Sequence, residues 1–385
     1  MRKIRVLQVN KLYSPHIGGI ERMVQLIAEG LCHSVDMQVL VCRHKGLGRN
    51  ETVNDISVHR ASSLGMMLSM PIAPSFPFLF KKLSQNADIV HFHTPFPLGD
   101  LSCLMAGYKG KVIVNWHSDV LRQKGFLWAY KLLATAFLRR ADRVIVADSN
   151  IAKNSPLLQP FNEKCVVVPF GIDTRRFQLN DDMRKQAEGI RSKFGSPIVL
   201  CVGRLVYYKG VEQVIKSMCE VDAVLLLIGD GPLRLNLEKL VVQLGLTNKV
   251  VFLGMLSYDE MPAYFHACDV FVLPSVASTE AFGLVQLEAM ACGKPVVNTR
   301  LPTGVPEVSR HQETGLTVPP GDAQALGVAI GTLLDDSALR QRYGENAKQR
   351  VREHFSLQKM LDSVQAIYGE LVGCDIRSGR GTNDE

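Results

Sequence analysis

The chain is expected to fold as an α/β protein built from two doubly wound, Rossmann-like halves, and three observations lead there. Short runs rich in Val and Ile alternate with amphipathic helical stretches along the whole sequence, which is the pattern of parallel sheets covered by helices on both faces. Each run ends in polar or glycine residues, which places chemistry where open α/β sheets bind ligands, beyond the C-terminal ends of their strands. The series is interrupted near residues 174–195 by a charged helical stretch, after which Ser196 and Pro197 begin a fresh one. A chain of 385 residues is long enough for two domains that each bury a core.

Taken in order, the first half reads as strands IRVLQV (4–9), MQVLVC (37–42), ADIVHFH (87–93), KVIVNWH (111–117), ADRVIVAD (141–148) and KCVVVPFGID (164–173), with a helix from about Gly19 to Leu31. The second half repeats the pattern as SPIVLCVGRL (196–205), AVLLLIGDGP (223–232), KVVFLG (249–254), DVFVLPS (269–275), KPVVNT (294–299) and TGLTVPPGD (314–322). Leu326–Val372 is expected as two helical segments broken near His354–Ser356, and the glycine-rich end Gly373–Glu385 as a disordered tail. The domains so delimited are 1–180 and 181–355, followed by a helix over 356–372 and the tail 373–385.

Composition narrows the function. With 46% hydrophobic and 21% charged residues the chain is neither disordered nor an integral membrane protein. Nine scattered cysteines without a CxxC pair suggest neither a disulfide framework nor a zinc site, and MRKIRVLQVN lacks the apolar core of a secretory signal, so a reducing cytoplasm is expected. The longest uncharged run, Ala61–Phe80, is broken by Pro71, Pro74 and Pro77 and does not read as a spanning helix. Residues 1–175 hold 22 Lys and Arg against 12 Asp and Glu, net +10, while 176–385 hold 22 against 25, net −3. An anionic membrane surface or a nucleic acid would suit the basic half, and a solvated face with a chance bias explains it as well.

The most informative stretch is Thr279–Val297, TEAFGLVQLEAMACGKPVV. Glu280 falls in a turn after the strand VFVL, and Leu284, Leu287, Glu288 and Ala291 recur at helical spacing, which predicts Glu288 on the inward face. A carboxylate there needs a cationic neighbour or a hydroxyl-rich ligand. Arg204, in VGRL at a strand end, and Lys209 five residues on supply a planar fork and a point charge suited to a diphosphate, although an exposed loop with two ordinary cations has the same spelling. The helix opening at Phe282, Gly283 and Leu284 offers free N–H groups and a dipole to an anion. No Asp-x-Asp pair occurs, so these groups would neutralise a diphosphate leaving group without a metal or other cofactor.

Gly18 and Gly19, in PHIGG after the first strand, allow close approach to a ligand or form a plain turn. GDGP (229–232) has a proline where a dinucleotide helix would begin and lacks the third glycine, which disfavours a nicotinamide cofactor. His117 ends a strand and either donates a hydrogen bond or stabilises developing charge at a reacting ligand, or is a satisfied structural histidine. His91 and His93 share a strand face, but no third ligand has the spacing of a metal site.

The pairing of VGRLVYYKG with TEAFGLVQLEAMACGKPVV, together with HIGGIE, GDGP and PTGVPE, resembles the retaining, GT-B-fold glycosyltransferases of family 4 over about residues 4–372. The resemblance implies two Rossmann-like domains facing across a cleft, an N-terminal one for the acceptor and a C-terminal one for the nucleotide-sugar, with the final helix crossing back to the first domain. It implies that Arg204 and Lys209 hold the donor diphosphate, Glu280 the sugar hydroxyls and Glu288 the ribose. Gly18 and Gly19 would approach the donor, His117 would sit by the sugar, and Met255 and Leu256 would meet the base. Glu280 and His117 are thus the catalytic candidates.

The family's route is front-side attack with retention, the diphosphate acting as base and the protein helping electrostatically. LPTGVPE and the E-x7-E segment look most like bacterial mannosyltransferases of surface polysaccharide assembly, implying GDP-mannose as donor, an undecaprenyl-diphosphate-linked glycan as acceptor and work at the cytoplasmic face of the inner membrane. Leu121–Arg143, with Phe126, Leu127, Trp128, Leu132, Leu133 and Phe137 among several cations, reads as an interfacial helix or as a core helix with a cationic outer face. A UDP-sugar transferase with a small soluble acceptor and a non-catalytic sugar-nucleotide-binding scaffold are the competing readings.

Overall fold

A computed structural model describes residues 2–15, 18–67, 70–118, 127–195 and 197–374. The chain forms two compact units, one of residues up to Phe170 together with the chain from Gln358 onward, the other Gly171–Leu357.

The strands of the first unit are β1 (Arg5–Val9), β2 (Asp36–Cys42), β3 (Arg49–Val53), β4 (Ile56–Ala61), the short β5 (Met66–Met67) and β6 (Met70–Pro71), β7 (Ile89–Thr94), β8 (Lys111–Trp116), β9 (Arg143–Val146) and β10 (Cys165–Val167). Eight of them make one sheet in the order β10-β9-β8-β7-β1-β2-β4-β3. All pairs are parallel except β3 with β4, a hairpin absent from the sequence expectation. Its signal was the turn Asn54-Asp55, both at positive φ (48° and 63°) as a type I′ turn requires, following a polar strand whose apolar content is too low to stand out. Glu51 pairs with Arg60 across the hairpin and closes it.

The second unit holds β11 (Ile198–Val202), β12 (Val224–Ile228), β13 (Val250–Gly254), β14 (Val270–Leu273), β15 (Val296–Thr299) and β16 (Gly315–Val318), all parallel, in the order β13-β12-β11-β14-β15-β16. Strand order reverses between β11 and β14, so the loops leaving these neighbours part to opposite faces. That topological switch point is where doubly wound sheets form a crevice. The first sheet reverses in the same way between β1 and β7.

The units divide earlier than the expected boundary at 180. The reason is local: Ile172 and Ser356 form a bridge, Ile172 N–H donates to Phe355 O (2.9 Å) and Leu357 N–H to Ile172 O (3.0 Å), so the two connecting segments pair with each other. Phe177, buried against Phe265 and Tyr258, then anchors the chain to the second unit before the charged helix Asp181–Phe194 begins. The C-terminal region contains three helices rather than two, Ala323–Asp335, Ser337–His354 and Leu357–Val372, because Asp336 ends one helix and its side chain caps the next. Leu361 packs against Gly30 and Glu370 pairs with Arg143, which fixes the last helix to the first unit. The expected tail lies, from residue 375 onward, outside the described residues.

One face of the first sheet is polar although buried. Gln8, His91, His93 and Asn115 share it by register, and His117 follows directly after β8. Tyr368 from the last helix covers the row, its hydroxyl 2.8 Å from His91 Nδ1. Gln8 Nε2, His91 Nε2 and Asn115 Oδ1 are buried without hydrogen-bond partners among the described residues, an arrangement that costs stability. Burial pushes His91 and His117 down to about 3, and it lowers His93 well below its ordinary value with help from its two histidine neighbours.

The folded state therefore holds these rings neutral, whereas the unfolded chain protonates them near pH 6.5. Their contribution is complete above that pH and is lost as pH falls toward 3. The urea midpoint should be flat above pH 7 and decline steadily below 6.5, and His91→Met should reduce the slope by about 1.4 kcal/mol per pH unit. An unchanged midpoint between pH 7 and 5 would contradict this.

Candidate active site

The loop after β11 carries Gly203, Arg204 and, through the short turn Tyr207–Lys209, the lysine. GDGP, which lacks the dinucleotide fingerprint, is its backing: a Cβ on Gly229 (φ +131°) would lie 2.1 Å from Gly203 O, while Leu205 N–H donates to Asp230 O (3.0 Å). Only a side chain of hydrogen lets the two loops lie this close.

From the neighbouring strand β14 the chain turns through Pro274–Gly283 into the helix Leu284–Ala291. Lys209 Nζ meets Glu280 Oε2 at 2.6 Å, with the side chains only 16% and 10% exposed. Ser275 Oγ donates to the same oxygen at 3.0 Å. Burial opposes the lysine charge, but the Glu280 carboxylate outweighs it and the Lys209 pKa is raised. Glu280 thus already has a cationic partner, in Lys209, the residue that the resemblance assigns to the diphosphate. The two act as a pair, with Glu280 Oε1 accepting no hydrogen bond from a described residue. Arg204 is different. It is exposed, and its guanidinium makes no hydrogen bond or ion pair with any described residue.

Gly283, at φ +72°, caps the helix, and a Cβ there would lie 2.5 Å from Leu273 Cδ2. Phe282 is buried against Phe355, and Leu284 is half-buried. Of the first N–H groups of this helix, Gln286 N–H donates back to Gly283 O (2.8 Å). Glu288 departs from expectation: the buried face is Gln286, Leu287, Ala289, Met290 and Ala291, and Glu288 sits half-buried at its margin, one turn beyond Leu284. Met255, 65% exposed, and half-buried Leu256 follow Gly254 at the end of β13, on the same sheet edge.

Sequence reasoning missed what holds these loops. Thr299 Oγ1 donates to Ser275 O (2.6 Å), Thr303 Oγ1 to Glu280 O (2.9 Å) and Gly304 N–H to Ala281 O (2.8 Å). Asn298 Nδ2 donates to Gln286 Oε1 (2.9 Å) and to the carbonyls of Val305 (3.1 Å) and Ser309 (3.0 Å), and accepts from Thr317 Oγ1 (2.8 Å) through its own oxygen. The available signal was VVNT, two polar residues closing an apolar strand, followed by PTG.

In the first unit, Gly18 is the extended N-cap of the helix Gly19–Leu31, and a Cβ there would lie 2.2 Å from Glu21 Oε2, so the carboxylate of Glu21 folds back over it. Gly19 is exposed. His117 is 7% exposed, its ring near-parallel to those of His93 and Phe170. His16, Asp119 and the segment Leu121–Phe126 lie outside the described residues. Among the described residues no three His, Cys, Asp or Glu side chains are grouped to hold a metal ion, and no helix is long and apolar enough to cross a membrane.

Both units match known proteins. Residues 17–176 match the family described as Glycosyltransferase Family 4, and residues 182–350 match Glycosyl transferases group 1. The chain is 30% identical to O-antigen chain mannosyltransferase C of Escherichia coli over 96% of this chain and 99% of that protein. It is 32% identical to the D-rhamnosyltransferase WbpZ of Pseudomonas aeruginosa, covering 92% of each. In fold it is similar to HepE of Anabaena, solved in complex with UDP, with a TM-score of 0.79 over 95% of this chain and all of that one at 21% identity. Family models matched along both Rossmann-like units, with 30% and 32% identity to two relatives over nearly their whole lengths, make this chain a GT-B-fold glycosyltransferase of family 4.

Proposed function

We propose that the enzyme moves mannose from GDP-mannose, with retention at the anomeric carbon, onto an undecaprenyl-diphosphate-linked oligosaccharide in O-antigen or related polysaccharide assembly. The observation that carries the donor half is the charge arrangement at the β11–β14 edge. Arg204 has no ion-pair partner among the described residues, whereas Lys209 is balanced by Glu280. Arg204 takes the diphosphate charge that grows as the sugar C1–O bond breaks, Lys209 is shared between Glu280 and phosphate, and Glu280 Oε1 accepts from sugar hydroxyls.

Glu288, at the margin of the helix, takes the ribose, and Met255 and Leu256 bracket the base. Gly18 and Gly19 approach the sugar rather than the phosphates, since Glu21 would repel an anion there. The acceptor hydroxyl attacks from the face that the diphosphate leaves, and the diphosphate takes its proton. The names of the Escherichia coli and Pseudomonas aeruginosa relatives support a hexose of the mannose series.

Membrane approach has its own support in the first unit. The helices Phe76–Ser84, Pro97–Ala106 and Leu127–Arg140 pack side by side and expose Phe78, Met105, Trp128 and Leu132 beside Lys81, Lys82, Lys131 and Arg139. Phe137, in the helix Leu127–Arg140, is buried, so the expected interfacial stretch divides into a core side and an outer side. Such a surface fits an anionic lipid interface at the cytoplasmic face of the inner membrane, where a lipid-linked acceptor resides.

A panel of nucleotide-sugars incubated with the purified enzyme and a lipid-linked acceptor should give transfer from GDP-mannose in the presence of EDTA. Loss of transfer in chelator would remove the metal-free reading, and transfer from a UDP-sugar to a water-soluble acceptor would replace the substrate assignment. Arg204→Ala should raise the donor KM by roughly 10- to 100-fold, the worth of hydrogen bonds to a charged group.

Lys209→Met leaves Glu280 unbalanced and should lower stability by about 2 kcal/mol, less than for a fully buried pair because both side chains reach solvent. Adding Glu280→Gln should restore stability without restoring transfer. Strictly additive losses would show that the pair is uncoupled. Replacing Trp128 and Leu132 with Ser should weaken binding to anionic vesicles, and unchanged binding would disqualify this surface.

A further inference from the structure

The buried polar row of the first unit contains a directed chain of hydrogen bonds that the transferase reading does not use. Gln8 Oε1 lies 3.0 Å from His93 Nε2, and His93 Nδ1 lies 3.0 Å from His117 Nε2. A carboxamide oxygen only accepts, so His93 carries its proton on Nε2 and, being neutral, presents a bare Nδ1. His117 must then donate through Nε2–H, which leaves its own Nδ1 as a lone pair. That atom has no hydrogen-bond partner among the described residues, and His117 keeps 7% of its surface exposed.

We propose that His93 is a positioning residue: anchored by Gln8, it fixes the tautomer of His117 so that His117 Nδ1 accepts a hydrogen bond from a substrate hydroxyl. This reverses the donor role that the sequence suggested for His117, and it rests on the reading of His117 as a residue that meets the sugar. A bare nitrogen lone pair discriminates by chemistry. It welcomes a hydroxyl hydrogen and repels phosphoryl, carbonyl and carboxylate oxygens, so His117 selects the hexose against the anionic parts of both substrates. The burial that holds both rings neutral keeps the chain from being erased by protonation at neutral pH. If the Gln8 amide were turned over, every proton would shift one place, and His117 would become a donor at Nδ1.

The experiment is tautomer assignment by long-range proton–nitrogen correlation in the intact protein labelled with nitrogen-15 histidine, the His117 signals being identified by their loss in His117→Asn. The expected result is His117 wholly as Nε2–H, turning to a mixture of tautomers in His93→Phe. Turnover of that variant should fall about tenfold with the donor KM unchanged, the loss of one oriented neutral hydrogen bond. An Nδ1–H tautomer in the unaltered protein overturns the proposal whether or not any variant folds, and leaves the transferase assignment untouched. The expected tautomer combined with full turnover by His117→Phe would instead overturn the placement of His117 at the sugar, and with it the role given to His93.

Discussion

Two opposite charges at the ends of adjacent strands set the terms for the second unit. Lys209 and Glu280 leave β11 and β14, the pair between which strand order reverses, and they meet at 2.6 Å with little solvent around them. Neither could sit there alone, because a charge so little exposed and unpaired costs several kcal/mol. Their pairing dictates how the two loops approach, and Ser275 reinforces it on the same oxygen. Because the pair is neutral as a whole, the field it leaves at the strand ends is weak, and the electrostatic character of the edge is that of Arg204. The exposed Arg204 guanidinium makes no contact with a described residue that an arriving anion would first have to break.

The first unit answers the same problem with neutral groups. Its sheet buries imidazoles and amides where Val or Ile would pack more stably, and some of their polar atoms find no partner. Stability alone would not favour such a row. A chain of neutral hydrogen bonds, however, can transmit orientation over several ångströms without placing a charge in a low-dielectric interior. The two units thus handle polarity in opposite ways, one by charge pairing and one by proton placement.

Much of the fold was legible because its signal is hydrophobic. Parallel strands buried on both faces spell continuous apolar runs, and all such runs expected from the sequence occur as strands. The hairpin β3–β4 escaped notice because half its residues face solvent, and the unit boundary was misplaced because Ile172 is held by hydrogen bonds to a segment almost two hundred residues away in sequence. Within the site, the residue types were readable but their partners were not. Glu280 and Lys209 were assigned to different parts of a ligand when each is the other's neighbour, and helical periodicity placed Glu288 inward although the short helix turns that residue to its edge. The polar residues Asn298, Thr299 and Thr303 carry no pattern of their own; their importance arises only when two loops distant in sequence are brought together.

That last contact has an implication for how specificity in this scaffold can change. The loop bearing Glu280 and the loop bearing Thr303 are stitched by Thr303 Oγ1 and Gly304 N–H to the carbonyls of Glu280 and Ala281, with Thr299 tying Ser275 below them. Transplanting either loop alone from a related transferase would strand buried donors and acceptors on both sides of the seam. The two segments are a single heritable cassette, and a chimaera that exchanges them together is the one with a chance of acquiring a new donor while still folding.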